Sequence, residues 1–293
     1  MNLYLVDSSI FIFKAWFAQK LELTNAQGEP NQAFIGFSDF VYRLLTEIAP
    51  GKVVFAFDES LKTSERKTLY PQYKANRAPA PVELKRQFAW CQQWVEYLGI
   101  SAVSSNTWEA DDLIGTLAKR HRSETLSIVI LSADKDLTQL IREGDIWWPF
   151  YDTRKLDYRS ISKKYGVKPE QIAEQLALAG DKVDNIPGIP FIGQKTAANL
   201  LRKFGDLATL RENLDQVHKM KFRYAGRVQQ SLIENESILD ISAKLTRINC
   251  DVDNMPDRPI ERGPAKLDKL REMMDVHAMD EQRRNKWESY LTK

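Results

Sequence analysis

Val53-Val54-Phe55-Ala56-Phe57-Asp58 is five apolar residues in unbroken succession, closed by a carboxylate. A strand with one face in water alternates apolar and polar residues, whereas a run without alternation fits a strand buried on both faces, as in parallel sheets covered by helices. Two further runs share the pattern. Leu3-Tyr4-Leu5-Val6 leads directly into Asp7, and Ser127-Ile128-Val129-Ile130-Leu131 is followed, after Ser132 and Ala133, by Asp134. Helical patterns lie between them, so the sequence predicts an α/β sheet of mainly parallel strands. Ligands of open parallel sheets sit at the carboxyl ends of the strands, and three acids placed there mark one edge as the functional one.

The rest of the chain bounds what that edge can do. It has 293 residues with 42 Lys+Arg against 40 Asp+Glu, a formal charge of +2, and a hydrophobic fraction of 43%, which fits one large or two modest globular domains. No apolar run of about eighteen residues occurs, and the N-terminus lacks the basic-then-apolar build of a secretory signal. A cytoplasmic protein is expected. Cys91 and Cys250 are far apart and outside metal-ligand spacing, so neither a disulfide framework nor a zinc ribbon is expected, and Cys91 between Trp90 and Trp94 reads as core.

From Thr63 to Trp90 the chain is too basic and too proline-broken for a core element and reads as a surface insertion. Leu61 to Trp90 carries a local charge of +5. A second basic stretch, Lys219, Lys221, Arg223 and Arg227, contains no acid between Gln216 and Ile233. From about Glu170 the pattern turns helical, with a boundary predicted near residue 165. Trp147-Trp148-Pro149-Phe150-Tyr151 reads as strand core and edge packing. Leu267, Leu270, Met273 and Met274 read as one face of a packed helix, followed by a polar tail.

Carboxylates recur at three more places. Glu109-Ala110-Asp111-Asp112 precedes a helical pattern, with Asn106 or Thr107 as the expected cap; Asp134-Lys135-Asp136 follows a strand; Asp181-Lys182-Val183-Asp184 follows an apolar helix. Singly each is common. Together with Asp7 and Asp58 they crowd like charges, which needs a cation to offset it, and oxygen donors without His or Cys select Mg²⁺ or Mn²⁺. Two such ions about 3.5–4 Å apart activate water for in-line phosphoryl displacement. Setting these nine acids aside leaves the rest of the chain at +11, a basic surface around an acidic site, as an enzyme acting on a polyanion requires. The turn from Asp184 through Gly188 to Gly193-Gln194-Lys195-Thr196 feeds a helix whose first backbone N–H groups are free to seat phosphate.

Over roughly residues 1 to 260 these motifs, in this order, resemble the 5′ nucleases, comprising the 5′→3′ exonuclease domain of DNA polymerase I, bacteriophage 5′ nucleases and flap endonucleases. The residues that carry the resemblance are Asp7, Phe57-Asp58, Tyr73-Lys74-Ala75-Asn76-Arg77, Glu109-Ala110-Asp111-Asp112, Asp134-Lys135-Asp136 and Gly180-Asp181-Lys182-Val183-Asp184-Asn185-Ile186-Pro187-Gly188. The resemblance implies a PIN-like, Rossmann-like α/β nuclease core over residues 1–165 with a helical arch over about 61–90. A helical part would follow over 166–293, with a helix-hairpin-helix over about 176–205, often with a bound K⁺. It implies that Asp7, Asp58, Glu109 and Asp111 serve a first metal ion, that Asp134, Asp136, Asp181 and Asp184 serve a second, and that Asp112 sits between them. Asp58, Asp111, Lys74 and Arg77 would be catalytic, with Lys74 and Arg77 steadying the scissile phosphate. Tyr73 would stack a base, Arg66 would belong to the same positive wall, and Gly193, Lys195 and Thr196 would contact DNA.

Two departures stand out. Asp7-Ser8-Ser9 replaces the Asp-Gly-Ser or Asp-Gly-Asn usual in the family, and Phe191-Ile192-Gly193 puts a bulky residue at the first glycine of the usual Gly-x-Gly hairpin, which bears on the K⁺ site. The chain ends at residue 293 with no polymerase region, and a stand-alone, monomeric enzyme is expected. The expected substrate is DNA with a 5′ flap, a 5′ overhang or a free 5′ end, away from any membrane. A non-catalytic structure-specific DNA-binding protein and a PIN-type ribonuclease are the alternatives.

Overall fold

The computed structural model describes residues 1–18, 23–58, 64–151 and 154–292. Strand β1 (Asn2–Asp7) runs straight into helix α1 (Ser8–Ala18), and α2 (Gln32–Arg43) ends in a π-helical turn before β2 (Lys52–Asp58). Next come α3 (Glu65–Leu69), α4 (Val82–Tyr97), β3 (Ser101–Ser105), α5 (Ala110–His121), β4 (Ser127–Leu131) and the strands β5 (Ile146–Trp148) and β6 (Leu156–Asp157). Helices α6 (Tyr158–Tyr165), α7 (Ile172–Ala179), α8 (Gln194–Phe204) and α9 (Leu207–Glu212) follow. The chain continues as α10 (Ala225–Glu234), α11 (Glu236–Thr246), α12 (Leu267–Val276) and α13 (Glu281–Leu291). None of the described helices is long and apolar enough to cross a membrane.

The chain divides into two compact units. The first comprises residues 1–61, 79–133 and 250–293 and the second residues 62–78 and 134–249. In the first, β1 pairs in parallel with β2 on one side and β4 on the other, and β2 pairs in parallel with β3, giving the order β3-β2-β1-β4. The register sets Asp7 beside Ala56 and Asp58 beside Ser105 at the carboxyl ends. Phe34, Phe37, Phe40, Phe55 and Phe57 are fully buried, and Phe11 stacks on Phe40 with ring centroids 3.8 Å apart. Each such side chain contributes roughly 1.5–3 kcal/mol on burial.

Two segments of this unit differ from their sequence reading. From Val82 onward the basic stretch is not a surface insertion: α4 buries Leu84, Gln87, Cys91 and Trp94. Gln87 Oε1 accepts from the backbone N–H of Ala33 (2.7 Å) and Phe34 (3.1 Å), satisfying first-turn donors of α2 that no local side chain caps. The polar tail is also a helix. It delivers Trp287, 1% exposed, against Trp94 with ring centroids 5.0 Å apart. α12 buries Leu270, Met273 and Met274, as their spacing predicts.

In the second unit β5 and β6 form an antiparallel pair, with Trp147, Trp148 and Phe150 buried. Arg66 donates to the carbonyls of Leu245 and Arg247 (both 3.1 Å) at the end of α11, where a cation also complements the helix dipole.

His277, 2% exposed in the first unit, packs on Phe34 and Trp90, and among the described residues its buried Nδ1 has no hydrogen-bond partner. Burial holds its imidazole down to about 4, against the weaker opposing pull of Glu29. The unfolded chain therefore takes up this proton near pH 6.5 while the folded chain does not until about 4. The stability this ring contributes is full above about 6.5 and falls as the pH drops toward 4, by up to about 3 kcal/mol. Urea unfolding of wild type and His277→Leu across that window should show a shallower pH dependence in the variant; parallel curves would mean that His277 is not the titrating group.

Candidate active site

In the first unit each acid at the sheet edge is held by a short-range donor. Asp7, 4% exposed, accepts from Ser132 Oγ at 2.7 Å. Asp58 accepts from Ser9 Oγ and from the Ala110 N–H, both at 2.8 Å, which ties the end of β2 to the starts of α1 and α5. Ser9 is thus the residue after the first strand that orients a carboxylate. Glu109 is the N-cap of α5, in place of Asn106 or Thr107, and its backbone N–H donates to Asp112 Oδ2 at 3.3 Å. Asp112 is fully buried in this capping box, a positioning role. Asp111, in the same turn, is only half-buried. A cleft of about 410 Å³ opens beside Asp58, with Phe13, Phe57, Phe88 and Lys85 in its wall. Phe13 and Phe88 stand 75 residues apart on α1 and α4, and no local spacing announces them.

In the second unit Asp134 caps the 3-10 turn Lys135–Leu140 by accepting from the Asp136 N–H at 2.8 Å. The indole N–H of Trp147 donates to the Asp134 carbonyl at 3.1 Å, a positioning contact the sequence reading did not contain. Asp181, 5% exposed, accepts from the Val183 N–H at 2.8 Å and from Lys135 Nζ at 2.5 Å. Burial, only partly offset by the hydrogen bond from Asp136, pushes the Asp134 carboxyl up. Burial and the charges of Asp134, Asp181 and Asp184 push Asp136 up to about 7, against the pull of Lys135. Asp136 Oδ1 is buried with Lys135 Nζ 4.0 Å away and, among the described residues, has no hydrogen bond.

The Tyr73-Lys74-Ala75-Asn76-Arg77 motif is latched onto the loop after α7. The Lys74 N–H donates to the Asp184 carbonyl at 2.9 Å, Asn76 Nδ2 to the Lys182 carbonyl at 2.9 Å, and Asn185 Nδ2 to the Gln72 carbonyl at 2.7 Å. Arg77 pairs with the Asp184 carboxylate, and Lys74 Nζ lies 3.8 Å from it. Lys74 has φ 55°, the left-handed region a non-glycine residue holds only where its surroundings impose it. Tyr73 is 3% exposed, packed with Ile186 and Leu245, and its hydroxyl donates to Asp184 at 3.3 Å. In this structure its ring offers no face for a base, unlike the exposed stacking ring that the resemblance implies.

The loop itself is closed by glycine. A Cβ on Gly180 would stand 2.8 Å from the Ile186 carbonyl oxygen, and one on Gly188 would stand 2.2 Å from the Gly180 nitrogen, with φ 74° and 63° at the two positions. At the following turn Phe191 itself adopts φ 67°, the conformation a glycine would supply, and leaves its ring 63% exposed. Gly193 is the N-cap of α8, no side chain caps that helix, and a Cβ there would meet nothing within 4 Å. Lys195 is exposed and Thr196 half-buried in the first turn.

Among the described residues no three Asp, Glu, His or Cys side chains form a ready-made metal cage. The donors present still fit a hard divalent ion, since all are carboxylate oxygens and Asp136 has a buried one without a hydrogen bond. Ions such as Mg²⁺ keep several waters and use one or two carboxylates rather than a full protein cage.

An α/β unit with acids along the carboxyl edge of a parallel sheet, and a helical unit with a second acid set beside a glycine-closed loop, define the class of carboxylate-based phosphodiesterases. Within it, the chain belongs to the 5′–3′ exonuclease family: residues 2–175 match its N-terminal resolvase-like domain and residues 167–264 its C-terminal SAM fold. It is 33% identical over 252 residues to a 5′-3′ exonuclease of Aquifex aeolicus, a match covering 86% of this chain and 83% of that protein. It is 34% identical over 258 residues to DNA polymerase I of Rhizobium leguminosarum, covering 86% of this chain but 25% of that protein; the chain spans about a quarter of that relative's length. A solved bacteriophage T5 flap endonuclease, crystallised as a pseudo-enzyme-product complex with DNA and metal ions, superposes with a TM-score of 0.66 at 21% identity. That superposition covers 85% of this chain and 90% of the phage protein, and at that identity the likeness is one of fold. It corrects the expectation of a PIN-like core: the fold is that of the 5′ nucleases. Acids at the ends of buried parallel strands suit any open α/β sheet, so the strand pattern alone could not separate the two folds.

Gly188→Ala should destabilise the protein by several kcal/mol, because a methyl group at 2.2 Å from backbone forces the loop open and alanine resists φ 63°. A urea midpoint within error of wild type would show that the loop yields freely.

Proposed function

We propose that this chain is a structure-specific 5′ nuclease, hydrolysing DNA phosphodiester bonds near 5′ ends or flap junctions in replication and repair, with divalent metal ions. The observation that carries the reading is the set Asp134, Asp136, Asp181 and Asp184, in which burial and then the neighbouring charges push the Asp136 carboxyl up to about 7 and, among the described residues, one of its oxygens is buried without a hydrogen bond. A protein that merely bound DNA would gain nothing from carboxylates that repel phosphate.

Asp7, Asp58, Glu109 and Asp111 would hold one Mg²⁺ or Mn²⁺, and Asp134, Asp136, Asp181 and Asp184 another, with Asp112 setting the start of α5. When bound, such ions supply Lewis acidity toward water and phosphate oxygens. Lys74 and Arg77 are presented as cations by their shared partner Asp184, and a substrate phosphate would exchange with that carboxylate for them. Their charge then offsets the charge that builds up on the phosphate in the transition state. Arg66 would act through α11 and Tyr73 through Asp184. At the hairpin, Gly193, Lys195 and Thr196 would meet the DNA backbone at the uncapped start of α8. Phe191 keeps the left-handed turn, so K⁺ at the hairpin is retained in this reading.

The test is cleavage of a 5′-flap DNA labelled in the flap strand, beside a matched blunt duplex and a single strand. Metal-dependent products at the junction or a ladder from the 5′ end are expected, with none in EDTA. Asp134→Asn and Asp181→Asn should abolish cutting and leave binding in EDTA largely intact. Lys74→Ala should slow single-turnover cleavage at saturating DNA by about 10²–10³. Variants that cut at the wild-type rate would remove these residues from the chemistry.

A further inference from the structure

Helices α6, α7 and α8 of the second unit line a cleft of about 570 Å³, a size that suits a small ligand. Ile172 and Leu176 of α7, Ala198 of α8 and the ring of Tyr165 at the end of α6 give it an apolar lining. The same cleft is reached by five cations: Lys135, Lys163 and Lys164, Lys195 and Arg202. Among the described residues neither Asp nor Glu lines it. Lys135 is partnered by Asp181, but none of the other four has a carboxylate within 4.0 Å. An apolar lining favours a hydrophobic body, and cations without acids among them favour an anion, so the occupant has to be both.

Gln175 narrows the choice. It lines the cleft and is only 2% exposed. Its Nε2 donates to the carbonyls of Tyr165 at 3.1 Å and Gln194 at 3.2 Å. Two carbonyl acceptors fix the amide with its nitrogen toward them, so Oε1 is an acceptor that, among the described residues, has no donor. A nearly buried acceptor at a cleft gains most from a ligand that brings its own N–H. Lys164 is held in place as well: its Nζ lies 5.1 Å from the Tyr165 ring centroid and 5.5 Å from that of Trp147. Those cation–π contacts steady the ammonium without neutralising it.

We infer that this cleft binds a free nucleoside monophosphate whose base carries an exocyclic amine, such as adenine. The planar base lies against Tyr165, Ile172, Leu176 and Ala198, the amine donates to Gln175 Oε1, and the phosphate is taken by Lys163, Lys164, Lys195 and Arg202. An inorganic anion would leave the apolar lining and Gln175 unused, and an apolar molecule would leave the cations unused. The choice of a mononucleotide rests on the reading of the chain as a nuclease, because cutting from a 5′ end releases that compound. Lys195 then serves two ligands, the nucleotide and DNA. The released nucleotide therefore inhibits by competing for DNA binding and leaves the rate at saturating DNA unchanged.

The test is calorimetric titration of the full chain in EDTA with dAMP, beside deoxyribose 5′-phosphate, inorganic phosphate and a 5′-phosphorylated trinucleotide. Saturable binding of dAMP at a single site is expected, with deoxyribose 5′-phosphate weaker by about tenfold or more. Lys163→Ala/Lys164→Ala should weaken dAMP by a similar factor, about tenfold, and the charge-preserving Lys163→Arg/Lys164→Arg should keep most of the affinity. In steady-state cleavage of flap DNA, dAMP should raise KM and leave kcat unchanged. No saturable binding, equal affinity for dAMP and inorganic phosphate, or an alanine variant that binds dAMP like wild type would each overturn the assignment. Tighter binding of the trinucleotide than of dAMP would also overturn it, giving the cleft to a DNA end. A protein that binds dAMP and cuts no DNA would sink the nuclease reading and keep the site, whereas cutting without dAMP binding would do the reverse.

Discussion

Repulsion between carboxylates that the fold refuses to separate is the constraint on which the remaining features of the second unit depend. Burial, and after it the charge of neighbouring carboxylates, pushes the Asp134 and Asp136 carboxyls up, because these acids are placed by backbone geometry rather than by choice of rotamer. Asp134 is fixed as a helical cap and through the indole of Trp147, and Asp181 by the paired backbone of Asp181 and Ile186 in the loop that Gly180 and Gly188 close. Lys135, Lys74 and Arg77 answer that repulsion within the unit. Removing a glycine, a cation or an acid therefore disturbs one balance in three different ways.

The first unit handles its acids differently. There Asp7 accepts from Ser132, Asp58 from Ser9 and the start of α5, and Asp112 from the backbone N–H of Glu109 in the capping box. Neutral donors orient a carboxylate and leave its charge in place. Paired cations, by contrast, give up their partner when a stronger anion arrives. In the second unit the paired cations Lys74 and Arg77 are thus suited to exchange the Asp184 carboxylate for a phosphate.

Much of this was legible in the sequence because its signals are local. An unbroken apolar run ending in an acid specifies a buried strand and its functional end, and β1, β2 and β4 lie where those runs predict. The spacing of Leu270, Met273 and Met274 likewise specified a helical face. What escaped depends on partners far away in the chain. Gln87 caps a helix that begins 55 residues earlier, Trp287 fills a core begun by Trp94, and Tyr73 is buried by Ile186 and Leu245. The basic, proline-broken composition near residue 80 concealed a buried helical face because only Leu84, Gln87 and a few neighbours turn inward. The PIN-like expectation failed for the complementary reason, since the strand pattern is shared by folds that differ in everything attached to the sheet.

The central claim is that the carboxylates are divalent-ion ligands, and calorimetric titration of the full chain with Mn²⁺ tests it without recourse to activity. The account predicts saturable binding to more than one site, with Asp181→Asn abolishing one class of site and Asp58→Asn the other. An absence of saturable binding, or a titration that neither variant alters, would contradict it.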